Sequence, residues 1–145
     1  MKIKKMPITL LEIMIVIFII GIIGSVIGRN MKGSLDEGRS FKSEQSSKQI
    51  YDLLTLQIAN GESFEKIIKS PKDCLSTSGF ISNPEKLFKD GWNKEFVIQK
   101  KIDEEDFVVY SEKWETFLKG KKKFTNDKMK EDYPWAFYFE DKEKI

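Results

Sequence analysis

The chain opens with a long apolar run, which is followed by a polar and then an amphipathic stretch. No residue from Ile13 to Ile27 is charged, and only two glycines and one serine interrupt the large apolar side chains. Counted from Ile8 the run covers 20 residues, which as an α-helix would reach roughly 30 Å, the thickness of the hydrocarbon core of a bilayer. The pattern predicts a membrane-spanning helix over residues 8–28, preceded by a basic segment at residues 1–7.

Beyond the apolar run, the periodicity is that of an amphipathic helix. Four apolar residues recur at i, i+3, i+4 and i+8 and therefore share one helical face: Ile50, Leu53, Leu54 and Ile58. The pair Asn60-Gly61 is typical of a helix C-terminus. We expect the helix to continue over residues 29–60, with this apolar face packed on a folded domain.

Residues 61–145 carry the signals of further short helices. Ser63 is a candidate N-cap of a short helix that Pro71 ends, and Asn83-Pro84 marks a second helix start. The turn-rich stretch between these two helices is predicted to be a loop. Trp114, Phe117 and Leu118 are spaced as on one face of a helix and predict a third short helix.

Three stretches have the pattern of strands. Residues 94–101 and 106–111 flank an acidic turn and are typical of an antiparallel hairpin. Trp135, Phe137 and Phe139 alternate as in a third strand. The predicted fold class is α+β, with a long N-terminal helix, its first half transmembrane, packed on a small antiparallel β-sheet with short connecting helices.

Composition and charge narrow the function classes. The chain has 25 basic and 23 acidic residues, a net charge of +2, which does not favour a nucleic-acid-binding protein. It has no histidine, so it lacks the usual general base near neutral pH, the commonest metal ligand and any Ser-His or Cys-His nucleophile pair. Cys74 is the single cysteine and cannot form an intramolecular disulfide. We therefore predict no enzyme activity, no cofactor and no metal site.

Glu12 is the unusual residue of the apolar region, because carboxylates are costly inside lipid. One interpretation is local: Thr9 and Glu12 have the spacing of a capping box, and the helix dipole favours an anion in the first turn. The other interpretation is that Glu12 pairs with a positive charge inside an assembly. The residues alone leave both open.

The stretch ITLLEIMIVIFIIGIIGSVI resembles the N-terminus of the type IV pilin-like family, which includes type IV pilins and the pseudopilins of type II secretion. These proteins share a short basic leader, a cleavage point, an apolar residue, Thr, Leu, any residue, Glu and a long apolar helix. Those positions are occupied here by Ile8, Thr9, Leu10, Leu11 and Glu12.

The resemblance implies a maturation and assembly pathway. A prepilin peptidase would cut between Pro7 and Ile8, which makes residues 1–7 a leader peptide, and would methylate the new amine of Ile8. Glu12 would then neutralise the N-terminal amine of a neighbouring subunit, so that two charges that are each costly in lipid become acceptable as a pair. The chain departs from the family at Pro7, where the family has Gly. Proline fixes φ and removes a backbone donor, which disfavours binding to the peptidase as an extended strand.

The function implied by the resemblance is that of a pseudopilin-like structural subunit of a type II secretion system, assembling into a periplasmic filament that drives protein export. The chain would cross the inner membrane once, with a cytoplasmic N-terminus and residues 61–145 as a periplasmic α+β domain. Its partners would be copies of itself or other pilin-like subunits, a prepilin peptidase and an inner-membrane assembly platform, with no nucleic acid. The alternatives are a type IV pilin subunit and a membrane-anchored periplasmic binding domain that never polymerises.

Three smaller features bear on function. The stretch KDGWNKEF resembles, with altered spacing, the DPWGNPY region of major pseudopilins, through Asp90, Trp92, Asn93 and Phe96. The carboxylates of residues 103–106 are interpreted as a solvated turn rather than a calcium loop. The basic residues Lys119 and 121–123 are interpreted as a solvated loop, with contact to an acidic partner or to lipid headgroups as the alternative.

Overall fold

The computed structural model describes residues 4, 6–102 and 104–139. The chain divides into two compact units, unit 1 at Met1–Asp36 and unit 2 at Glu37–Ile145. The described part contains six helices and two strands: α1 (Leu10–Ala59), α2 (Phe64–Lys69), α3 (Pro71–Thr77), α4 (Pro84–Leu87), β1 (Val97–Lys100), β2 (Phe107–Tyr110), α5 (Glu112–Lys119) and α6 (Asn126–Asp132).

Helix α1 confirms the predicted long N-terminal helix, and it ends at the predicted Asn60-Gly61 pair. Gly61 adopts a φ of +104°, a conformation that glycine reaches at little cost. Its N–H donates to the Ile58 carbonyl at 3.1 Å. The next N–H, that of Glu62, donates to the Gln57 carbonyl at 3.1 Å. This pair of bonds is a Schellman motif, which satisfies carbonyls that the helix leaves open.

The predicted short helices are confirmed at α2, α4 and α5. Ser63 Oγ accepts a hydrogen bond from the Lys66 N–H at 3.3 Å and so caps α2. Asn83 Oδ1 accepts from the Lys86 N–H at 3.2 Å and caps α4. Helix α5 carries the three apolar residues predicted from their spacing.

The prediction of a loop between α2 and α4 is wrong for residues 71–77, because these residues form α3. Pro71 ends α2 as expected, but it is also the first residue of α3, where its missing N–H and fixed φ cost nothing. Cys74 and Leu75 of α3 are buried. Their packing outweighs the turn preference of the Ser, Thr and Asp residues around them.

Strands β1 and β2 form the predicted antiparallel hairpin. The register pairs Val97 with Tyr110 and Lys100 with Phe107. Most of β2 is buried, whereas β1 is largely exposed. Asp103, in the predicted turn, lies outside the described residues.

One predicted strand is wrong, the one assigned to the alternating residues Trp135, Phe137 and Phe139. These residues belong to an irregular segment in which the N–H groups of Ala136 and Phe137 donate back to the Tyr133 carbonyl. The Val109 N–H of β2 does donate to the Trp135 carbonyl at 2.7 Å. Pro134 has no backbone N–H, so it cannot donate a hydrogen bond that would extend the pairing with β2. The aromatic alternation therefore reflects packing on a core rather than strand pairing.

The described residues of unit 2 form two hydrophobic cores. Core 1 packs α1 against the hairpin and the short helices, and its buried members are Ile50, Leu54, Ile67, Cys74, Leu75, Phe88, Phe96, Phe107 and Val109. Leu53 and Ile58 are partly buried against it, which confirms the predicted apolar face of α1. Core 2 is more aromatic and contains Trp114, Leu118, Met129, Ala136 and Phe137.

Gly91 sets how closely the loop after α4 approaches α1. A Cβ at this position would lie 2.1 Å from the Arg39 carbonyl oxygen, far inside van der Waals contact. The Gly91 N–H donates to Ser43 Oγ at 2.9 Å. Glycine is thus required here by the nearness of another backbone.

We expect Gly91→Ala to lower the free energy of unfolding of unit 2 by about 2–3 kcal/mol, because the loop must move away from α1 to admit the methyl group. The matched control is Gly38→Ala, at a helical position with open space around it. That change should stabilise α1 by about 0.5–1 kcal/mol. Urea unfolding of the detergent-solubilised chain, followed by tryptophan fluorescence, measures both. Equal midpoints for the two variants would contradict the close approach.

Candidate functional site

The apolar part of α1 is the largest exposed hydrophobic surface in the described residues. Every large apolar side chain from Ile8 to Ile27 is exposed, with exposed fractions between 46% and 77%. Ser25, the one polar side chain between Ile13 and Ile27, donates its hydroxyl hydrogen to the Ile22 carbonyl at 2.8 Å. The helix is long and apolar enough to cross a membrane. An exposed apolar surface of this extent indicates contact with lipid or with other proteins.

A reciprocal capping box closes the N-terminus of α1. The Glu12 N–H donates to Thr9 Oγ1 at 3.3 Å, and the Thr9 N–H donates to Glu12 Oε2 at 3.1 Å. The local interpretation of Glu12 is thus confirmed. Two backbone donors that lipid could not satisfy are paired within four residues of chain.

The capping box does not use all of the Glu12 carboxylate. Oε2 accepts from Thr9, and Oε1 has no partner among the described residues. The carboxylate is exposed in the first turn of α1. Capping its own helix therefore leaves Glu12 able to accept a hydrogen bond from a further donor.

The residues of the predicted cleavage site lie just before α1. Pro7 and Ile8 are exposed and outside regular secondary structure. Leu10 and Leu11 are the first two residues of α1, and both are exposed. The peptide bond between Pro7 and Ile8 is thus accessible, which is a requirement for any peptidase.

Within unit 2, α1 presents a face of small polar residues that sequence analysis missed. Ser40 Oγ accepts from the Trp114 Nε1–H at 3.0 Å, and Ser47 Oγ accepts from the Trp135 Nε1–H at 3.0 Å. Ser43 Oγ accepts from the Gly91 N–H. We call Ser40, Ser43 and Ser47 the serine face. Their spacing of three and four residues continues backwards from Ile50 and Leu54, a signal that counting only apolar residues overlooks.

The loop that resembles the pseudopilin stretch is organised around a buried carboxylate. Asp90 is 1% exposed. Its Oδ1 accepts from the N–H groups of Trp92 and Lys94 at 2.8 and 2.9 Å, and its Oδ2 accepts from Ser111 Oγ at 2.7 Å. Ser111 in turn caps α5 by accepting from the Trp114 N–H. Asp90 therefore joins the loop to α5 through hydrogen bonds that satisfy its charge.

A second carboxylate joins the hairpin to α1. Asp106 Oδ1 accepts from the Tyr51 hydroxyl at 3.2 Å and from the Phe107 N–H at 2.8 Å, and Oδ2 accepts from Lys101 Nζ at 2.6 Å. Desolvation acts to raise the pKa of Asp106. The hydrogen bonds from Lys101 and from the Phe107 N–H outweigh it and hold that pKa below its usual value.

The remaining acidic residues do not build a metal site in the described part of the chain. Glu104 and Glu105 are exposed, and Asp106 is engaged by Lys101. No group of three carboxylate or thiol side chains is placed to hold a metal ion in the residues that the structure describes. The calcium-loop interpretation of residues 103–106, which the sequence does not favour, gains no support from the geometry of residues 104–106.

Comparison with known proteins finds relatives in Chlamydia. The chain is 37% identical over 113 residues to a Chlamydia trachomatis serovar D protein named "Putative outer membrane protein", an alignment that covers 77% of this chain and 91% of that protein. A protein of the same name from Chlamydia muridarum is 35% identical over 120 residues, covering 82% and 97% of the two chains. One from Chlamydia pneumoniae is 35% identical over 111 residues, covering 76% and 90%. No protein-family model and no solved structure matches the chain.

The chain is associated with a membrane, as indicated jointly by the names of these relatives and by its own apolar N-terminal helix. The names of these relatives state no activity.

The Asp106 contacts predict acid sensitivity. The folded pKa of Asp106 lies below the value of about 3.9 in an unfolded chain, so its contribution to stability is complete above that value and is lost as the pH falls through the folded pKa. We expect Asp106→Asn to cost about 1 kcal/mol at pH ~7 and a smaller amount at pH ~3, where the carboxylate is partly protonated in the unfolded chain. The control is Asp52→Asn, which removes an exposed pair with Lys48. Urea midpoints at both pH values give the comparison, and a pH-independent cost for Asp106→Asn would disprove the linkage.

Proposed function

The chain belongs to the family of these chlamydial proteins, and we propose that it is a pseudopilin-like structural subunit of a type II secretion system. In this proposal, the apolar segment of α1 holds the subunit in the inner membrane before assembly. The same segment forms the contacts between subunits in a periplasmic filament whose growth drives protein export. Unit 2 is the part that the filament displays.

The observation that carries the proposal is the carboxylate at the entrance to the apolar helix. Glu12 lies in the first turn of a segment whose large apolar side chains are all exposed. A plain membrane anchor needs no charge there, since a serine or threonine cap with an uncharged partner serves as well. A charged side chain held near lipid is by default a candidate for pairing with an opposite charge.

The chemistry of the pairing follows from the proposed cleavage between Pro7 and Ile8. Cleavage creates a cationic amine at Ile8, four residues before Glu12 in the same chain. In the proposed filament this amine pairs with Glu12 of a packed neighbour. The uncapped oxygen of Glu12 can accept a hydrogen bond from that amine while the other oxygen keeps the Thr9 N–H. Two charges brought together in a dry helix bundle offset much of each other's desolvation cost.

The proposed partners are copies of the chain or other pilin-like subunits, a prepilin peptidase and an inner-membrane assembly platform. A single apolar helix with lysines before it fits insertion with a cytoplasmic N-terminus. The names of the relatives refer to an outer membrane. A filament that starts in the inner membrane and extends towards the outer membrane accommodates both locations. A type IV pilus subunit would use the same N-terminal chemistry.

A second candidate function is a membrane-anchored binding domain that does not polymerise. It is favoured by the closed capping box, which gives Glu12 a role within its own chain. The filament subunit needs the charge of Glu12 for assembly. The anchored domain needs only the ability of Glu12 to cap α1.

The decisive variant is Glu12→Gln, because glutamine can still accept the Thr9 N–H in a capping box but carries no charge. We expect it to insert in the membrane normally and to lose assembly by roughly 100-fold or more, since leaving one charge of a buried pair unpaired costs about 3–5 kcal/mol. Disulfide cross-linking through Val16→Cys, in the exposed apolar segment, measures assembly in membranes that also contain a prepilin peptidase. Cys74 is buried and should not compete.

The matched control is Thr9→Ala, which weakens the cap and keeps the charge. Under the filament proposal Thr9→Ala retains cross-linking and Glu12→Gln loses it. If Glu12→Gln cross-links as well as the unmodified chain, Glu12 acts as a cap only and the anchored-domain function is the better one.

Processing is tested by mass spectrometry of the N-terminal peptide from the native membrane. We expect a peptide that begins at Ile8 with a methylated amine. Such a peptide would mean that the peptidase accepts Pro7 in place of glycine. A peptide that begins at Met1 or Lys2 would remove the amine from the proposal and would again favour the anchored domain.

A further inference from the structure

The hydrogen-bond pattern of the hairpin decides which backbone groups of β1 point away from β2. In an antiparallel pair, successive residues direct their N–H and C=O groups alternately towards and away from the partner strand. The Val109 N–H of β2 points away from β1, because it donates to the Trp135 carbonyl. Val109 is the register partner of Ile98, so the N–H and C=O groups of Ile98 point away from β2. By the same alternation those of Lys100 do so too.

The two outer edges of the hairpin differ in how far they are covered. The edge of β2 is met by the irregular segment at Trp135. The edge of β1 is met only just before the strand begins, where the Phe96 N–H donates to the Phe88 carbonyl at 2.8 Å. The outward N–H and C=O groups of Ile98 and Lys100 have no hydrogen-bond partner in the part of the chain that the structure describes. Such an open edge is a template for pairing with an added strand.

A groove runs beside this open edge. Two cavities, of about 490 and 290 Å³, lie between β1 and residues 64–73 of α2 and the start of α3. Val97 and Ile98 point to opposite faces of the hairpin, yet both line the larger cavity. A space that side chains of both faces reach must extend past the edge of the strand. Ile68 and Phe88 give this cavity an apolar lining.

Charge in the groove favours one kind of added strand. Lys100 Nζ lies 5.5 Å from the centre of the Phe64 ring, and both residues line the smaller cavity together with Glu65 and Lys69. Lys100, Lys69 and Glu65 form no ion pair within the described residues. This lining therefore has one unpaired positive charge in excess. A carboxylate opposite Lys100 would be stabilised, whereas β1 of a second copy would bring further lysines to the same edge.

We propose that the open edge of β1 binds an extended segment of another protein, which adds a third strand to the hairpin and places an acidic side chain opposite Lys100. Ile98 and Lys100 each offer the added strand one backbone N–H and one C=O. These main-chain hydrogen bonds give affinity, and the side chains that enter the groove give specificity. An apolar side chain opposite Ile98 fits the lining of the larger cavity. The interaction does not depend on the proposed cleavage or polymerisation.

The test uses the full chain in lipid nanodiscs and a probe peptide with blocked ends, Thr-Thr-Glu-Thr-Val-Thr-Thr. Its β-branched residues favour the extended conformation. Antiparallel pairing places its glutamate opposite Lys100 and its valine opposite Ile98. Amide hydrogen exchange is followed by NMR. We expect the probe to slow exchange at the Ile98 and Lys100 amides. The Gln99 amide, which points towards β2, should be protected with and without the probe.

Reversing the charge at the edge tests the choice of an acidic partner. We expect Lys100→Glu to weaken binding of the glutamate probe roughly tenfold, because a favourable cross-strand pair becomes a pair of like charges. A second probe with lysine in place of glutamate should bind this variant more tightly than it binds the unmodified chain. Continued protection of the Gln99 amide shows that the hairpin of the variant is folded.

The matched control is Lys86→Glu, which reverses the charge of an exposed lysine of α4 that lines neither cavity. It should bind both probes as the unmodified chain does. Unchanged exchange at the Ile98 and Lys100 amides in millimolar probe would overturn the proposal. Equal affinity of the unmodified chain for the two probes would also overturn it, since the edge would then not distinguish charge. Protection of these amides that rises with the concentration of the chain alone would replace the acidic partner with a second copy.

Discussion

Hydrogen bonds to the serine face of α1 are the interactions on which the rest of unit 2 depends. The indole N–H groups of Trp114 and Trp135 and the backbone N–H of Gly91 each donate to one of its hydroxyls. A buried donor left without an acceptor costs about 1–3 kcal/mol. These three bonds therefore fix where α5, the irregular segment around Trp135 and the loop at Gly91 lie against α1. Small side chains on α1 also let the Gly91 backbone reach the Arg39 carbonyl. Larger apolar residues on this face would exclude that approach.

The side chains of α1 differ between unit 1 and unit 2. In unit 1 it exposes large apolar side chains and satisfies its own polar groups locally, through the capping box and the Ser25 hydroxyl. This is what lipid demands, because lipid supplies no hydrogen bonds. In unit 2 the same helix supplies hydroxyl acceptors and then apolar contacts to a folded domain. The charge of Glu12 is not needed to close the helix, and for that reason it carries the proposal of a pairing between subunits.

The sequence was most informative where the signal is local. The long helix, the caps at Ser63 and Asn83, the hairpin and helix α5 each depend on residues within a few positions of one another. Prediction was wrong where burial decided the outcome. Helix α3 forms because Cys74 and Leu75 are buried, and residues 135–139 pack on core 2 where alternation predicted a strand. Helix α6 was not predicted, since Met129 is its only large apolar residue and gives no periodicity.

By itself, the sequence determined the apolar segment and the capping box, because a 20-residue apolar run and a contact between residues three apart need no other part of the chain. Only the tertiary structure decided the role of the serine face and the contact by which Asp90 joins its loop to Ser111 at the start of α5. The partners in these contacts lie between 21 and 88 residues apart, so no local spacing predicts them. A serine or aspartate side chain would be hydrated in the unfolded chain. It stabilises the fold only when folding removes that water and another chain segment becomes its hydrogen-bond partner.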